Sequence, residues 1–96
     1  INIPDEFMLS QNYPNPFNPT TDIQFSLPTS EYVHIAIYNL MGHELLVLVD
    51  ENKQPGTYVV QWDAKDGNGA TMPTGIYMYK MTAGSFADTK KLVLMK

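Results

Sequence analysis

The sequence contains no cysteine and no arginine, and each absence excludes a class of function. Without cysteine the chain can form neither a disulfide framework nor a thiolate metal site. All six basic residues are lysine, although arginine is better suited to bidentate contacts with phosphates and base edges. Because the net charge is also −4, nucleic acid is not an expected partner.

Long apolar runs are missing as well. No stretch approaches the roughly 20 apolar residues of a transmembrane helix, so membrane insertion is not predicted. No secretory signal peptide is recognisable, and the sequence begins at Ile1 rather than at a methionine. We therefore expect a fragment of a longer exported precursor, in which any export signal lies upstream.

Polar and apolar residues alternate along much of the chain, which is the pattern of strands with one buried face. The 96 residues suffice for one domain, and the hydrophobic fraction of 44% indicates a globular fold rather than disorder. Turns rich in glycine, proline and asparagine separate the alternating segments. Strands are predicted over 22–27, 32–38, 44–49, 57–63, 76–82 and 86–95, with a short seventh strand near 7–9.

These segments predict an all-β fold, a seven-stranded antiparallel immunoglobulin-like β-sandwich. In this prediction residues 9–96 form the sandwich and residues 1–8 are the end of an interdomain linker. Asp50 and Glu51 are expected in a turn. The predicted core consists of the inward-facing residues Ile23, Phe25, Val33, Ile35, Ile37, Tyr58, Val60 and Trp62.

Two groups of side chains could bind a metal, and both have a simpler structural interpretation. Asp63, Asp66 and Asn68 resemble part of a calcium loop, and residue types of this kind are also typical of a hairpin turn. The twelfth position counted from the first aspartate is a threonine instead of a bidentate acid. His34 and His43 lack any metalloprotease spacing, which favours two surface residues over a zinc site. No metal and no cofactor is predicted, with calcium at the first loop left open.

Catalysis is not predicted either. The four serines have no nucleophile-elbow context, and no phosphate-binding glycine motif is present. A domain of this size can hold a core or a cleft, but hardly both. Trp62, Tyr77 and Tyr79 could form an aromatic platform for sugar rings, which leaves a carbohydrate-binding module as an alternative. Alternation nevertheless favours the core for the tryptophan.

An ordered series of motifs resembles the C-terminal sorting domain of the type IX (Por) secretion system. The resemblance covers residues 9–96, and immunoglobulin-like modules of flagellar hook-capping proteins share part of it, so a structural module is a second alternative. In chain order the motifs are Asn-Pro-Phe-Asn-Pro within 9–21, a strand over 23–28, a strand and glycine turn over 37–42, Pro55-Gly56 before Tyr58 and Trp62-Asp63, Gly-x-Tyr over 75–77, and a basic-apolar-basic end over 91–96.

The resemblance implies a non-catalytic secretion signal that directs an upstream passenger through the type IX outer-membrane translocon. The passenger would travel through the periplasm to the cell surface or the medium. The implied partners are that translocon, a cell-surface sorting peptidase and the passenger domain, and we expect the chain itself to be a monomer. The candidate residues for translocon recognition are Gly75, Tyr77, Lys90, Lys91, Leu92, Val93, Leu94 and Lys96.

The charge distribution gives this hypothesis a physical basis. Residues 80–96 contain four lysines and one acid, a net +3, whereas residues 1–79 contain two lysines and nine acids, a net −7. A basic tip on an acidic domain can be steered to an acidic partner, or its lysines can protect an exposed edge strand from aggregation. We expect Tyr77 in the core and a turn requirement at Gly75. The final strand, 89–96, is expected to offer a free edge for strand addition.

Overall fold

Seven antiparallel β-strands form from the alternating segments within residues 3–96, the part of the chain that the computed structural model describes. All seven predicted strands are confirmed. That same part of the chain contains no helix long and apolar enough to cross a membrane. The strands are β1 (Met8–Leu9), β2 (Thr21–Leu27), β3 (Glu31–Tyr38), β4 (Glu44–Lys53), β5 (Gly56–Trp62), β6 (Gly75–Ala83) and β7 (Phe86–Leu94).

The strands form two sheets, which confirms the predicted seven-stranded β-sandwich. The smaller sheet has the order β1-β2-β5, and the larger sheet has the order β4-β3-β6-β7. Strand β2 pairs along its whole length with β5, from Thr21 opposite Trp62 to Leu27 opposite Gly56. Strand β7 lies at one edge of the larger sheet, where β6 is its neighbour.

A single hydrophobic core lies between the sheets. Tyr58 and Val60, which were also predicted in the core, are only partly buried and pack against its margin. Both lie on β5, an edge strand of the smaller sheet that leaves one flank without a neighbouring strand, whereas Trp62 at the end of the same strand packs against Phe17. The other predicted core residues are at most 1% exposed, namely Ile23, Phe25, Val33, Ile35, Ile37 and Trp62.

Strand β4 is longer than the sequence predicts. It pairs with β3 over its full length, so that Glu31 lies opposite Lys53. The expectation that Asp50 and Glu51 lie in a turn is therefore wrong, since both belong to the strand. Alternation of polar and apolar residues could not locate the end of this strand, because side chains in the second half of β4 are polar on both faces of the sheet.

The first strand joins the sandwich next to the predicted linker. Met8 belongs to β1, and the ring of Phe7 stacks on Phe86 with 5.2 Å between centroids. The linker over residues 1–8 stays a prediction, and its first two residues lie outside those that the structure describes.

Candidate functional site

The β6–β7 hairpin brings the predicted recognition residues together. Gly75 lies opposite Leu94, and Tyr77 lies opposite Leu92. The sequence places the two motifs some 15 residues apart, but antiparallel pairing makes them direct cross-strand neighbours. The open end of this hairpin is therefore the candidate site.

The side chains of β7 divide between two faces. Leu92 and Leu94 point into the core and are at most 1% exposed. Lys91 is exposed and Val93 half-buried on the outer face of the larger sheet, and Lys96 is exposed beyond the strand. This division separates residues that can touch a partner from residues that shape the strand.

Lys90 differs from the other lysines of this region. Its side chain is half-buried, and its Nζ lies 3.8 Å from Oδ2 of Asp88 on the same face of the strand. Lys90 therefore already has an acidic partner within the domain, which makes it less available to a second protein.

Tyr77 fixes the start of β6. Its hydroxyl donates a hydrogen bond to the carbonyl of Pro73 at 2.6 Å, and its ring meets Trp62 edge-on with 6.1 Å between centroids. Burial raises the pKa of Tyr77, which keeps the phenol in its neutral, donating form. The expectation that Tyr77 belongs to the core is confirmed.

Gly75 does not meet the turn requirement expected from the sequence. Its φ is not among the left-handed values that occur at Gly42, Gly56, Gly69 and Gly84. A β-carbon at position 75 would lie 3.9 Å from the ring of Tyr77, which is an ordinary van der Waals contact. Nothing in the local backbone therefore demands glycine here.

An earlier segment covers part of the outer edge of β7. We call residues 11–17 the clasp. Phe17 brackets the strand, because its N–H donates to the carbonyl of Val93 at 3.0 Å and its carbonyl accepts from the N–H of Met95 at 3.1 Å. The expectation that the final strand offers a free edge is thus wrong at this end.

Two side chains of the clasp complete the contact with β7. The amide nitrogen of Gln11 donates to the carbonyl of Lys91 at 2.6 Å. The N–H of Val93 donates to Oδ1 of Asn15 at 2.9 Å. The clasp therefore binds main-chain groups at positions 91, 93 and 95, along the edge that faces away from β6.

The clasp is itself anchored in the fold. The ring of Phe17 is 2% exposed and packs against Trp62 at 5.5 Å between centroids. Buried Asn12 donates from Nδ2 to Oγ1 of Thr21 at 2.9 Å and to the carbonyl of Pro14 at 3.2 Å. These contacts hold a segment whose prolines exclude a regular strand. Two of its X-Pro bonds are cis, at Pro14 and Pro16, and a third cis bond follows the clasp at Pro19.

Tyr79 connects β6 to the residue preceding the clasp. Its hydroxyl donates to the carbonyl of Ser10 at 2.6 Å. Burial raises the pKa of Tyr79 to about 12, with a smaller contribution from the negative charge of Asp88. The phenol therefore stays protonated and donating at any physiological pH.

Sequence reasoning missed the clasp. Nothing in the Asn-Pro-Phe-Asn-Pro motif indicates a contact with the last strand. One signal was available, since Phe17 is the only large apolar residue between Tyr13 and Ile23, and an isolated aromatic of this kind often marks an anchor.

The aromatic platform considered for sugar rings does not exist. Trp62, Tyr77 and Tyr79 are all buried, at 1%, 8% and 0% exposure. The indole N–H of Trp62 donates to the carbonyl of Lys65 at 2.9 Å and is not directed at solvent. This removes the observation on which a carbohydrate-binding module depended.

The Asp63–Asn68 loop uses its carboxylates to organise the turn. Oδ1 of Asp66 accepts from the N–H groups of Asn68 and Ala70 at 2.9 and 3.0 Å, and Oδ1 of Asp63 accepts from that of Lys65 at 3.3 Å. Across residues 3–96, no three histidine, aspartate or glutamate side chains lie close enough to hold a metal ion.

His34 lies in a polar network on the outer face of the larger sheet, as expected for a strand-face residue. Asp50 accepts from the hydroxyl of Tyr32 at 2.6 Å and lies 3.3 Å from Nδ1 of His34. The hydrogen bond from Tyr32, and next that from His34, lowers the pKa of Asp50. Glu44 lies on the other side of the imidazole, 3.4 Å from Nε2.

Comparison with known proteins gives a consistent result. The model of the family described as "Secretion system C-terminal sorting domain" matches residues 11–95. No curated protein matches the chain.

Two solved structures from Porphyromonas gingivalis are similar in fold. Dimeric latent PorU is 16% identical with a TM-score of 0.72, over 94% of this chain and 9% of PorU. PorZ, described as an essential surface component of the type IX secretion system, is 17% identical with a TM-score of 0.59, over 96% of this chain and 12% of PorZ. The chain thus corresponds to a small part of either protein.

Proposed function

Because this chain belongs to the family of secretion system C-terminal sorting domains, it is a sorting signal for type IX secretion, and we propose that the β6–β7 hairpin with its clasp is the surface recognised. The function implies export through the periplasm to the cell surface or the medium. The match of the family model to residues 11–95 is the observation that carries this conclusion.

The candidate residues take two roles in this proposal. Lys91, Val93 and Lys96 touch the partner, since Lys91 and Lys96 are exposed and Val93 is only half-buried at the end of the hairpin. Gly75 belongs with them, because it is half-exposed and nothing in its own conformation requires glycine. A residue without a side chain allows another backbone to approach closely.

The remaining candidates shape the hairpin. Leu92 and Leu94 hold β7 on the core, and Tyr77 holds the start of β6 through Pro73. Lys90 acts mainly with Asp88 inside the domain. Substitution of these residues affects recognition only through the fold.

Side-chain recognition is favoured over strand addition at this site. Strand addition needs unpaired main-chain groups, but the clasp binds the carbonyl of Lys91, both main-chain groups of Val93 and the N–H of Met95. A partner strand would have to displace four hydrogen bonds and remove Phe17 from the core before it gained equivalent bonds. We therefore propose that the partner contacts the side chains of a clasped strand.

Interaction with the type IX secretion machinery and with an upstream passenger follows from the family. Within that machinery we propose the outer-membrane translocon and a cell-surface sorting peptidase as direct partners, with the domain itself a monomer. The family is non-catalytic, and we propose that this chain has no enzymatic activity of its own.

A passenger fusion tests the proposed function. The complete 96-residue chain is fused behind a periplasmic reporter in a type IX-competent host, and reporter is measured in the medium and on the cell surface. We expect export of the fusion and retention in the periplasm of the reporter alone. A Lys91→Glu, Lys96→Glu fusion should be retained while its purified domain keeps the circular dichroism of the parent, because exposed charges contribute little to stability.

Deletion of residues 89–96 is a poorer test, because it removes Leu92 and Leu94 from the core and would unfold the domain. The matched control compares Lys91→Glu alone with Lys65→Glu, which makes the same charge change at an exposed lysine outside the hairpin. Export of the Lys91→Glu, Lys96→Glu fusion at the parental level would contradict the role assigned to β7.

A further inference from the structure

The outer face of the larger sheet carries an exposed patch beside β7 that the recognition strand alone does not explain. On this face Lys91 lies opposite Met78, which in turn lies opposite Tyr38 of β3. Ile76 lies opposite Val93 in the neighbouring row. We call this surface the outer patch, consisting of Tyr38, Ile76, Met78, Lys80, Lys91 and Val93.

Large apolar side chains are exposed in and around the outer patch. Ile76 is 47% exposed, and Leu40 and Met41 in the adjoining turn are 58% and 80% exposed. The turn is fixed in place, because Oδ1 of Asn39 accepts from the N–H groups of Met41 and His43 at 2.9 and 3.0 Å. Contiguous exposed apolar surface that the fold holds rigidly is typical of a binding site.

Two unpaired lysines border this apolar surface. Lys80 lies opposite Thr89, two residues from Lys91, so the two lysines are diagonal neighbours about 7–8 Å apart at Cα. Within residues 3–96 neither has an acidic side chain in ion-pair range, whereas Lys53 and Lys90 each have one. Two like charges at this spacing repel each other, and only an anionic partner would reverse that cost.

A groove between the β3–β4 turn and β6 completes the surface. It has a volume of about 250 Å³ and is lined by Tyr38, Gly42, Met78, Lys80 and Thr89. Small-molecule sites are usually larger, roughly 300–1,000 Å³, and enclose their ligand. The groove instead has the size of one large apolar side chain, with Lys80 at its wall.

We propose that the outer patch binds an acidic segment of a protein of the secretion machinery, which places one large apolar side chain in the groove and its carboxylates at Lys80 and Lys91. This inference rests on the proposed function and identifies the chemistry of the partner. It also extends the recognised surface from β7 onto β6. The sequence motifs alone do not indicate that Ile76 or Lys80 contacts a partner.

Other occupants fit the same surface less well. An anionic membrane would attract two lysines but repel the rest of a domain whose net charge is −4. A second copy related by two-fold symmetry would bring two patches of the same positive charge together. An acidic protein segment satisfies both the apolar and the charged part of the patch.

The test uses substitutions on β6, away from the strand probed above. In the passenger fusion of the complete chain, an Ile76→Thr, Lys80→Glu variant should lower export by about tenfold or more, because like charges brought together in an interface oppose binding. The matched control is Val59→Thr, Lys65→Glu. Val59 is likewise an exposed β-branched strand residue but lies in the smaller sheet, and export should stay within about twofold of the parent.

Two further measurements separate the charge from the fold. With Ile76 unchanged, the Lys80→Glu fusion should be retained, whereas the Lys80→Arg fusion, which keeps the positive charge, should be exported. The purified variants should unfold at the same urea concentration as the parent. Parental export of the Ile76→Thr, Lys80→Glu fusion would overturn the inference and leave the proposed function standing. A parental fusion that is itself retained would overturn both.

Binding of the purified domain to phosphatidylglycerol vesicles tests the membrane alternative, and sedimentation tests the dimer. Binding or dimerisation that disappears with Lys80→Glu would show a different occupant and would overturn the proposed protein segment. A monomer that does not bind the vesicles supports it.

Discussion

Gly75 and Tyr77 belong to one sequence motif but act differently in the structure. Tyr77 is buried and bonded to Pro73, whereas Gly75 is half-exposed with no strained backbone. Substitutions at these two positions can therefore distinguish an effect on folding from an effect on recognition.

We predict that Gly75→Ala keeps the fold and lowers passenger export. The new methyl group meets the ring of Tyr77 at an ordinary 3.9 Å, and loss of a glycine from a strand should leave stability unchanged or raise it by about 0.4–1 kcal/mol. Urea unfolding of the domain and reporter export measure the two effects. A fall in stability would show that the site needs glycine for its own conformation.

Tyr77→Phe is the matched variant with the opposite expectation. It removes one hydrogen bond, so we expect a loss of about 0.5–1.5 kcal/mol in the free energy of unfolding with export retained. If this variant folds normally but is not exported, the hydroxyl of Tyr77 has a recognition role.

Individual buried residues were predictable where a strand has neighbours on both sides. Strand β3 lies between β4 and β6, and its alternating residues Val33, Ile35 and Ile37 are fully buried as predicted. The same alternation overestimated the burial of Tyr58 and Val60 on the edge strand β5. Alternation identifies the inward face, but burial also depends on which strand lies beside it.

The clasp and β7 form one structural unit, although they lie at opposite ends of the fold in sequence. We predict that Asn15→Ala speeds hydrogen exchange of the Val93 amide but not of the Met95 amide. Among the described residues the side chain of Asn15 accepts from Val93 alone, whereas the Met95 N–H donates to the carbonyl of Phe17. Equal acceleration at both amides would show that the clasp opens as a whole.

Phe17→Ala should release both amides, because it removes the anchor of the clasp. Truncation to alanine of a ring that is 2% exposed costs about 3–5 kcal/mol of stability, so the urea concentration at the unfolding midpoint should fall markedly. Phe17→Leu, which keeps most of the apolar volume, is the control and should lose less than about 1.5 kcal/mol.

Element type could be predicted from the sequence, but this contact could not. Period-two alternation and short apolar runs located the strands, and the two-residue β1 was predicted only as a short seventh strand near 7–9. The clasp has no period, because its prolines remove ladder donors, and its partner strand lies about 80 residues away. Only side-chain hydrogen bonds and one buried ring specify the pairing, and such contacts leave no local pattern.

At the scale of the whole molecule, no three histidine, aspartate or glutamate side chains of the described residues lie close enough to hold a metal ion. The carboxylate of Asp66 is occupied by two backbone N–H groups of its own loop. We predict that a millimolar chelator leaves the melting temperature unchanged, since nothing in the loop geometry depends on a bound cation. A drop that calcium reverses would show that the loop binds the ion after all.

The positive charge of the molecule is distributed between its faces in a way that the sequence predicts only in part. A basic C-terminal tip was evident from composition, yet the tip's lysines differ in availability once the strands pair. Lys90 turns toward Asp88, while Lys80 and Lys91 share the outer face with no acidic partner among residues 3–96. The distribution of charge between faces follows from register, which the alternation of single strands does not define.

The clasp makes the signal sensitive to whether the domain is complete. Its bonds join Gln11 to Lys91 and Asn15 to Val93, across separations of 80 and 78 residues. Contacts this distant form late in folding, because a large loop must close before they contribute. A truncated or unfolded copy therefore presents no clasped strand, so machinery that recognises the clasped strand would select for an intact sorting domain.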